Sequence, residues 1–195
     1  MTTGRGALQG NSCSGLTLRQ LETGLADRRR SAKKSEFLLR QSLLKAPWEE
    51  QPDGSRGSEN EVLKVRRYLA EKFGRARSGY RFVLDVLPRQ SSLSPNVQAV
   101  IRHEVSPDIP RESLSSLFKT NKPQCISQKI KNELSKLNVK ATVSVDVSSE
   151  TPRIHVIHHE VAFTDHQAAL LDWVAEQKLV ISSFEKNVKE KIKKG

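Results

Sequence analysis

Two hydrophobic periods run through this chain, and they separate most clearly near its carboxy end. In residues 139–147, Val139, Ala141, Val143, Val145 and Val147 alternate with polar side chains. That two-residue period predicts a half-buried strand. Residues 148–152 form a turn-rich connection ending in Pro152, and residues 153–163, rich in Ile and Val, predict a second strand. Upstream, Tyr80, Phe82, Leu84 and Val86 alternate in the same way until Pro88 stops the run.

Between the strands the period lengthens. Val62, Val65, Leu69 and Phe73 lie on one helical face, with Asn60 placed to cap it and Gly74 to end it. Ile126, Ile130, Leu134 and Leu137 mark another helix, closed by Asn138. Thr164 and Gln167 form a capping box ahead of Leu170, Leu171 and Val174. Prolines 95, 107 and 110 break residues 89–121 into short pieces, a strand or helical turn at 96–105 and a short helix at 110–118. Past Gln177 two readings compete. Ile181, Phe184, Val188 and Ile192 continue one helix. Alternatively, residues 178–182 form a strand, and Ser182 with Glu185 opens a separate helix.

These elements predict an α+β fold with an antiparallel sheet of three or four strands and helices on one face. Val143, Val145, Ile157, Val161, Leu134, Leu171 and Val174 are its expected core. A strand at 178–182 would instead give the ferredoxin-like order βαββαβ. The chain divides into a Gly/Ser-rich disordered tail (1–15), a basic Leu-rich helical arm (16–46), a Pro/Gly-punctuated linker (47–60) and the α+β domain (61–195). Leu18, Leu21, Leu25, Leu38, Leu39 and Leu43 form the stripe of the arm. An isolated helix cannot bury such a stripe. It needs the domain or a partner protein, so these six residues are the candidate partner-binding set.

Composition sharpens this picture. Only 36% of residues are hydrophobic and 5% aromatic, so part of the chain is expected outside the core. There is no apolar run of about 18 residues, hence no expected membrane span. Arg5 and Arg19 precede the first acid, Glu22. That pattern fits a mitochondrial presequence as well as a disordered terminus. The expected location is intracellular, cytoplasmic or nuclear, with mitochondria as the alternative. Cys13 and Cys125 stand far apart in no metal or redox spacing.

The net charge is +11, and it is unevenly spread. Residues 1–46 hold nine basic and three acidic side chains, residues 47–60 one and four, and residues 61–79 six and two. Two basic runs emerge as candidate polyanion-binding sites. The first is Arg28, Arg29, Arg30, Lys33 and Lys34. The second is Arg66, Arg67, Arg75, Arg77 and Arg81, interleaved with Tyr68, Phe73, Tyr80 and Phe82. Cations neutralise phosphates, and exposed aromatics can stack on bases. Lys191, Lys193 and Lys194 carry less weight, because Glu185 and Glu190 dilute them. No aromatic RNP pattern or GXXG loop is present, so base-specific recognition is not expected.

Catalytic chemistry finds little support. No P-loop, nucleophile elbow or dinucleotide-binding glycine pattern occurs. His155, His158 and His159 would share a face only on a helix. On the predicted strand, His158 and His159 point apart and His155 lies roughly 13 Å from His159. No metal, cofactor or small-molecule substrate is therefore expected, and the reading is non-enzymatic. The first functional expectation is a protein-interaction subunit of a larger assembly, docking through the Leu-rich arm. The alternative is a nucleic-acid-binding or ribonucleoprotein component that contacts phosphates, in RNA or DNA, without base specificity.

Overall fold

The computed structural model describes residues 16–45, 60–74, 79–90 and 98–194. The expected tail, the linker up to Glu59, Arg75 and Arg77 lie outside them. Element order is α1 (Leu18–Leu44), α2 (Glu61–Phe73), β1 (Gly79–Val86), β2 (Ala99–Ser106), α3 (Arg111–Phe118), α4 (Pro123–Ser135), β3 (Ala141–Asp146), β4 (Arg153–His158) and α5 (Asp165–Lys194). The four strands form one antiparallel sheet in the order β1-β2-β4-β3. This is the expected α+β class.

Parity sets the two faces of the sheet. Phe82 and Val86 on β1, Ile101, His103 and Val105 on β2, Ile154, Val156 and His158 on β4, and Ala141 on β3 are buried beneath the helices. Arg81, Arg102, Glu104, His155 and Thr142 alternate with them on the opposite face. Val143 and Val145 are on the inner face but only partly buried. Leu134, Val161, Leu171 and Val174 are core as expected. Ile157 is not. It sits between buried Val156 and His158, so pleating turns it outward.

The core has two lobes. Val65, Leu69 and Phe73 of α2 pack with Leu114, Phe118, Ile126, Ile130 and Leu134 over the β3–β4 side. Leu39 and Leu43 of α1, with Leu171, Val174 and Ala175 of α5, cover Phe82, Val86 and Ile101. Tyr80 touches both lobes.

Helix α5 is continuous through residues 178–182, which removes the strand that the ferredoxin-like alternative requires. Thr17 and Gln20 close a reciprocal capping box at the start of α1, and Thr164 and Gln167 make the same exchange at α5. The expected arm is one 27-residue helix. It docks on its own chain, in the same cluster as the sheet and α5.

Candidate nucleic-acid interface

Helices α1 and α5 run antiparallel. Ser42 Oγ accepts from Gln167 Nε2 at 3.1 Å, Lys178 Nζ donates to Glu36 Oε1 at 2.9 Å, and Arg29 Nη2 donates to Glu185 Oε1 at 2.7 Å. The same Lys178 ammonium donates to the carbonyl of Val86 at the end of β1, 2.6 Å away. From there α5 continues for 16 more residues, about 24 Å, alongside the amino-terminal half of α1. The Phe184 ring lies over Gly24, where an added Cβ would meet it at 3.0 Å. The guanidinium of Arg28 stacks on the same ring at 5.4 Å. Leu21 and Leu25 are buried in this two-helix rod.

The pairing joins two basic segments from distant parts of the sequence. Residues 18–34 carry six basic and two acidic side chains, and residues 178–194 also carry six and two. Together they hold eight of the eleven net positive charges. The carboxy-terminal lysines, discounted when each segment is read by itself, therefore lie on the same rod as the first basic run. This juxtaposition could not be read from local spacing, because the contacting residues are up to 156 positions apart.

The individual candidates divide by surroundings. Arg30, Lys33 and Lys34 are exposed on α1. Arg30 pairs with Asp27 one turn away at 3.1 Å. Arg29 is also exposed, and its surface pair with Glu185 is worth well under about 1 kcal/mol, so a phosphate can displace the carboxylate. Arg28 is different: half-buried, stacked on Phe184 and donating to Gln177 at 3.0 Å, it holds the rod together.

The second run does not form one patch among the described residues. Arg66 lies over the Tyr80 ring at 5.9 Å, and Arg67 is exposed on α2. Arg81 sits on the outer sheet face, 3.9 Å from Glu104, which also engages Arg102 at 2.8 Å and His155 at 3.7 Å. That single carboxylate offsets much of the positive charge on the open sheet face. The interleaved aromatics are mostly core. Phe73, Phe82 and Tyr68 are buried, with the Tyr68 hydroxyl donating to Glu133.

The six leucines of the arm also separate. Leu21, Leu25, Leu39 and Leu43, expected in the partner-binding set, are buried within the chain. The apolar faces of α5 and the sheet already cover them. Leu18 and Leu38 remain exposed, at 36% and 43%.

A polar chain crosses the core beneath the helices. His103 and His158 occupy neighbouring strands and meet Nε2 to Nε2 at 2.8 Å, and His103 Nδ1 lies 2.7 Å from the Tyr80 hydroxyl. Burial, then the neighbouring His158 and Arg66, lower the His103 pKa to about 2. Burial, then His159, lower that of His158 to about 4. Both rings are therefore neutral at pH 7 and share one N–H between the facing nitrogens.

Two tautomer arrangements satisfy that contact. In one, His103 donates to His158, and the buried Nδ1 of His158 carries an N–H without a partner. In the other, His158 donates, and its Nδ1 keeps only a lone pair. An orphaned N–H is the costlier defect, so the second arrangement is favoured, with His103 Nδ1 donating to the Tyr80 oxygen. The adjoining cavity, between His158, Ile101, Val161 and Phe163, measures only about 10 Å³. That is at most a water's space and admits no substrate, so the chain serves as a polar element of the core. Among the described residues, no group of three or more His, Cys, Asp or Glu is placed to hold a metal ion. No described helix is long and apolar enough to cross a membrane.

The fold and the rod thus define an α+β protein with a basic antiparallel helix pair. No family model matches the chain, and neither a curated protein nor a solved structure matches it.

Proposed function

We propose that this protein binds the phosphate backbone of nucleic acid, non-enzymatically and without base specificity, through the α1–α5 rod. One observation carries the reading: antiparallel packing collects eight of the eleven net positive charges on two adjoining helical segments. Such a density attracts a polyanion at long range and gains affinity by releasing its counterions. The protein-docking alternative loses most of its surface, since four of its six leucines are internal.

The test is binding of a labelled RNA and a labelled duplex DNA at 50 and 200 mM salt. With about five phosphates neutralised, affinity is expected to fall on the order of 10²-fold or more across that range. Joint reversal of Arg30, Lys33 and Lys34 to Glu should weaken binding, and so should reversal of Lys189 and Lys193, with thermal unfolding little changed in either variant. Absence of binding at low salt, or wild-type affinity in both variants, would remove the proposal.

A further inference from the structure

The exposed face of α1 does not end with its lysines. Arg30, Lys33, Phe37 and Gln41 follow one another at three- and four-residue steps, and Lys34 stands three residues before Phe37, which places all five along one side of the helix. Phe37 is the most exposed aromatic residue described, at 57%. Phe37 also lines a cleft of about 600 Å³ between the end of α1 and the start of α5, together with Arg40, Gln41, Leu44, Lys45 and His166. None of the described residues lining this cleft is acidic.

Two residues of the cleft are held by contacts with the rest of the chain. Its Ser42 accepts from Gln167, itself held in the α5 capping box. The guanidinium of Arg40 is seated over the Phe82 ring at 5.5 Å. The cleft volume falls within the range of small-molecule sites, roughly 300–1,000 Å³, and so has room for a nucleobase. Lys33 and Lys34 lie about one helical turn from Phe37 on one side, and Arg40 and Lys45 flank it on the other.

We propose that this cleft is a base-stacking site for single-stranded nucleic acid. An unpaired base lies on the Phe37 ring, while Lys33, Lys34, Arg40 and Lys45 neutralise the phosphates on either side of it. A duplex keeps its bases stacked inside and cannot present one to the ring, so the cleft favours single strands over the backbone binding that any polyanion enjoys. The inference rests on the nucleic-acid reading above and adds strand preference to it. Aromatic stacking accepts every base, so the site requires no sequence preference.

The experiment compares a labelled 12-nucleotide single-stranded RNA with a duplex RNA of the same sequence by fluorescence anisotropy. The proteins are the full chain, Phe37→Ala, Phe37→Leu, Phe37→Tyr and the joint Lys33→Glu/Lys34→Glu variant. Stacking is worth roughly five- to hundredfold per base. Phe37→Ala and Phe37→Leu should lose about that much affinity for the single strand and none for the duplex, while Phe37→Tyr retains both. The lysine reversals should weaken both ligands. Single-strand affinity unchanged in Phe37→Ala, or lost equally for the duplex, overturns the stacking site while leaving the backbone reading intact. A wild-type chain that binds neither RNA overturns both.

Discussion

Lowering the pH should remove stability through the buried histidine pair, by an amount set almost entirely by the unfolded chain. His103 and His158 have folded pKa values of about 2 and 4, against an ordinary value of 6.5. Between pH 6.5 and 4 the unfolded chain binds protons at both rings and the folded chain binds almost none, so stability rises with pH over that window and is complete above it. At pH 5 a free imidazole is about 97% protonated. Its neutral state in the core then costs about 2 kcal/mol per ring relative to pH 8, however far below 5 the folded pKa lies. The pair together should remove about 4 kcal/mol, a large part of a stability of the usual 5–15 kcal/mol. Urea unfolding at half-unit steps from pH 8 to pH 5 would measure it. His158→Gln leaves His103 a hydrogen-bond partner and removes one titrating ring, so about half of the pH dependence should vanish. Equal pH dependence in wild type and variant, or a flat profile in wild type, would refute the reasoning.

Other outcomes follow from the packing. Leu39→Ala should cost about 2–5 kcal/mol, because Leu39 is fully buried where α1, the sheet and α5 meet; a loss below about 1 kcal/mol in denaturant unfolding would mean that α1 is only loosely docked. Val156→Asp buries a charge against the helices and should prevent stable folding, whereas Ile157→Asp faces outward and should cost about 1 kcal/mol or less; circular dichroism of the pair checks the register of β4. Lys119 ends α3 in the left-handed region at φ 56°, so Lys119→Gly should raise stability by up to about 1 kcal/mol, read as an increase in Tm.

Sequence pattern reveals elements well and contacts poorly, and particular residues show why. The Val143–Val145 alternation, the Thr164 and Gln167 box and the Ile126–Ile130–Leu134 stripe are local signals, and each corresponds to an observed element. Ile154, Val156 and Ile157 place apolar side chains on both parities, so spacing does not decide which face is inner. The decision comes from His158, whose partner His103 lies 55 residues away on the neighbouring strand. The leucines of α1 signal clearly that something covers them, but not that the cover is the last helix of the same chain. The basic rod is hidden for the same reason. Each half looks like an ordinary solvated helix until α1 and α5 are paired. Phe37 stands beside the Leu38–Leu39 pair, and in sequence nothing sets it apart from them, although helical geometry turns it to the charged side.

The pairing of the first helix with the last also imposes an order on synthesis. About 120 residues separate the end of α1 from the start of α5, so at ribosomal rates of about 5–20 residues per second the leucine face of α1 waits on the order of ten seconds for its cover. Throughout that interval the strongly basic segment that becomes α1 lacks its α5 cover beside the ribosome, itself a concentrated source of RNA phosphates. Any early stop codon upstream of α5 would make that transient state permanent: a truncated product would keep the uncovered leucine stripe of α1, and should be a target for chaperones and proteases rather than a weaker version of the full chain.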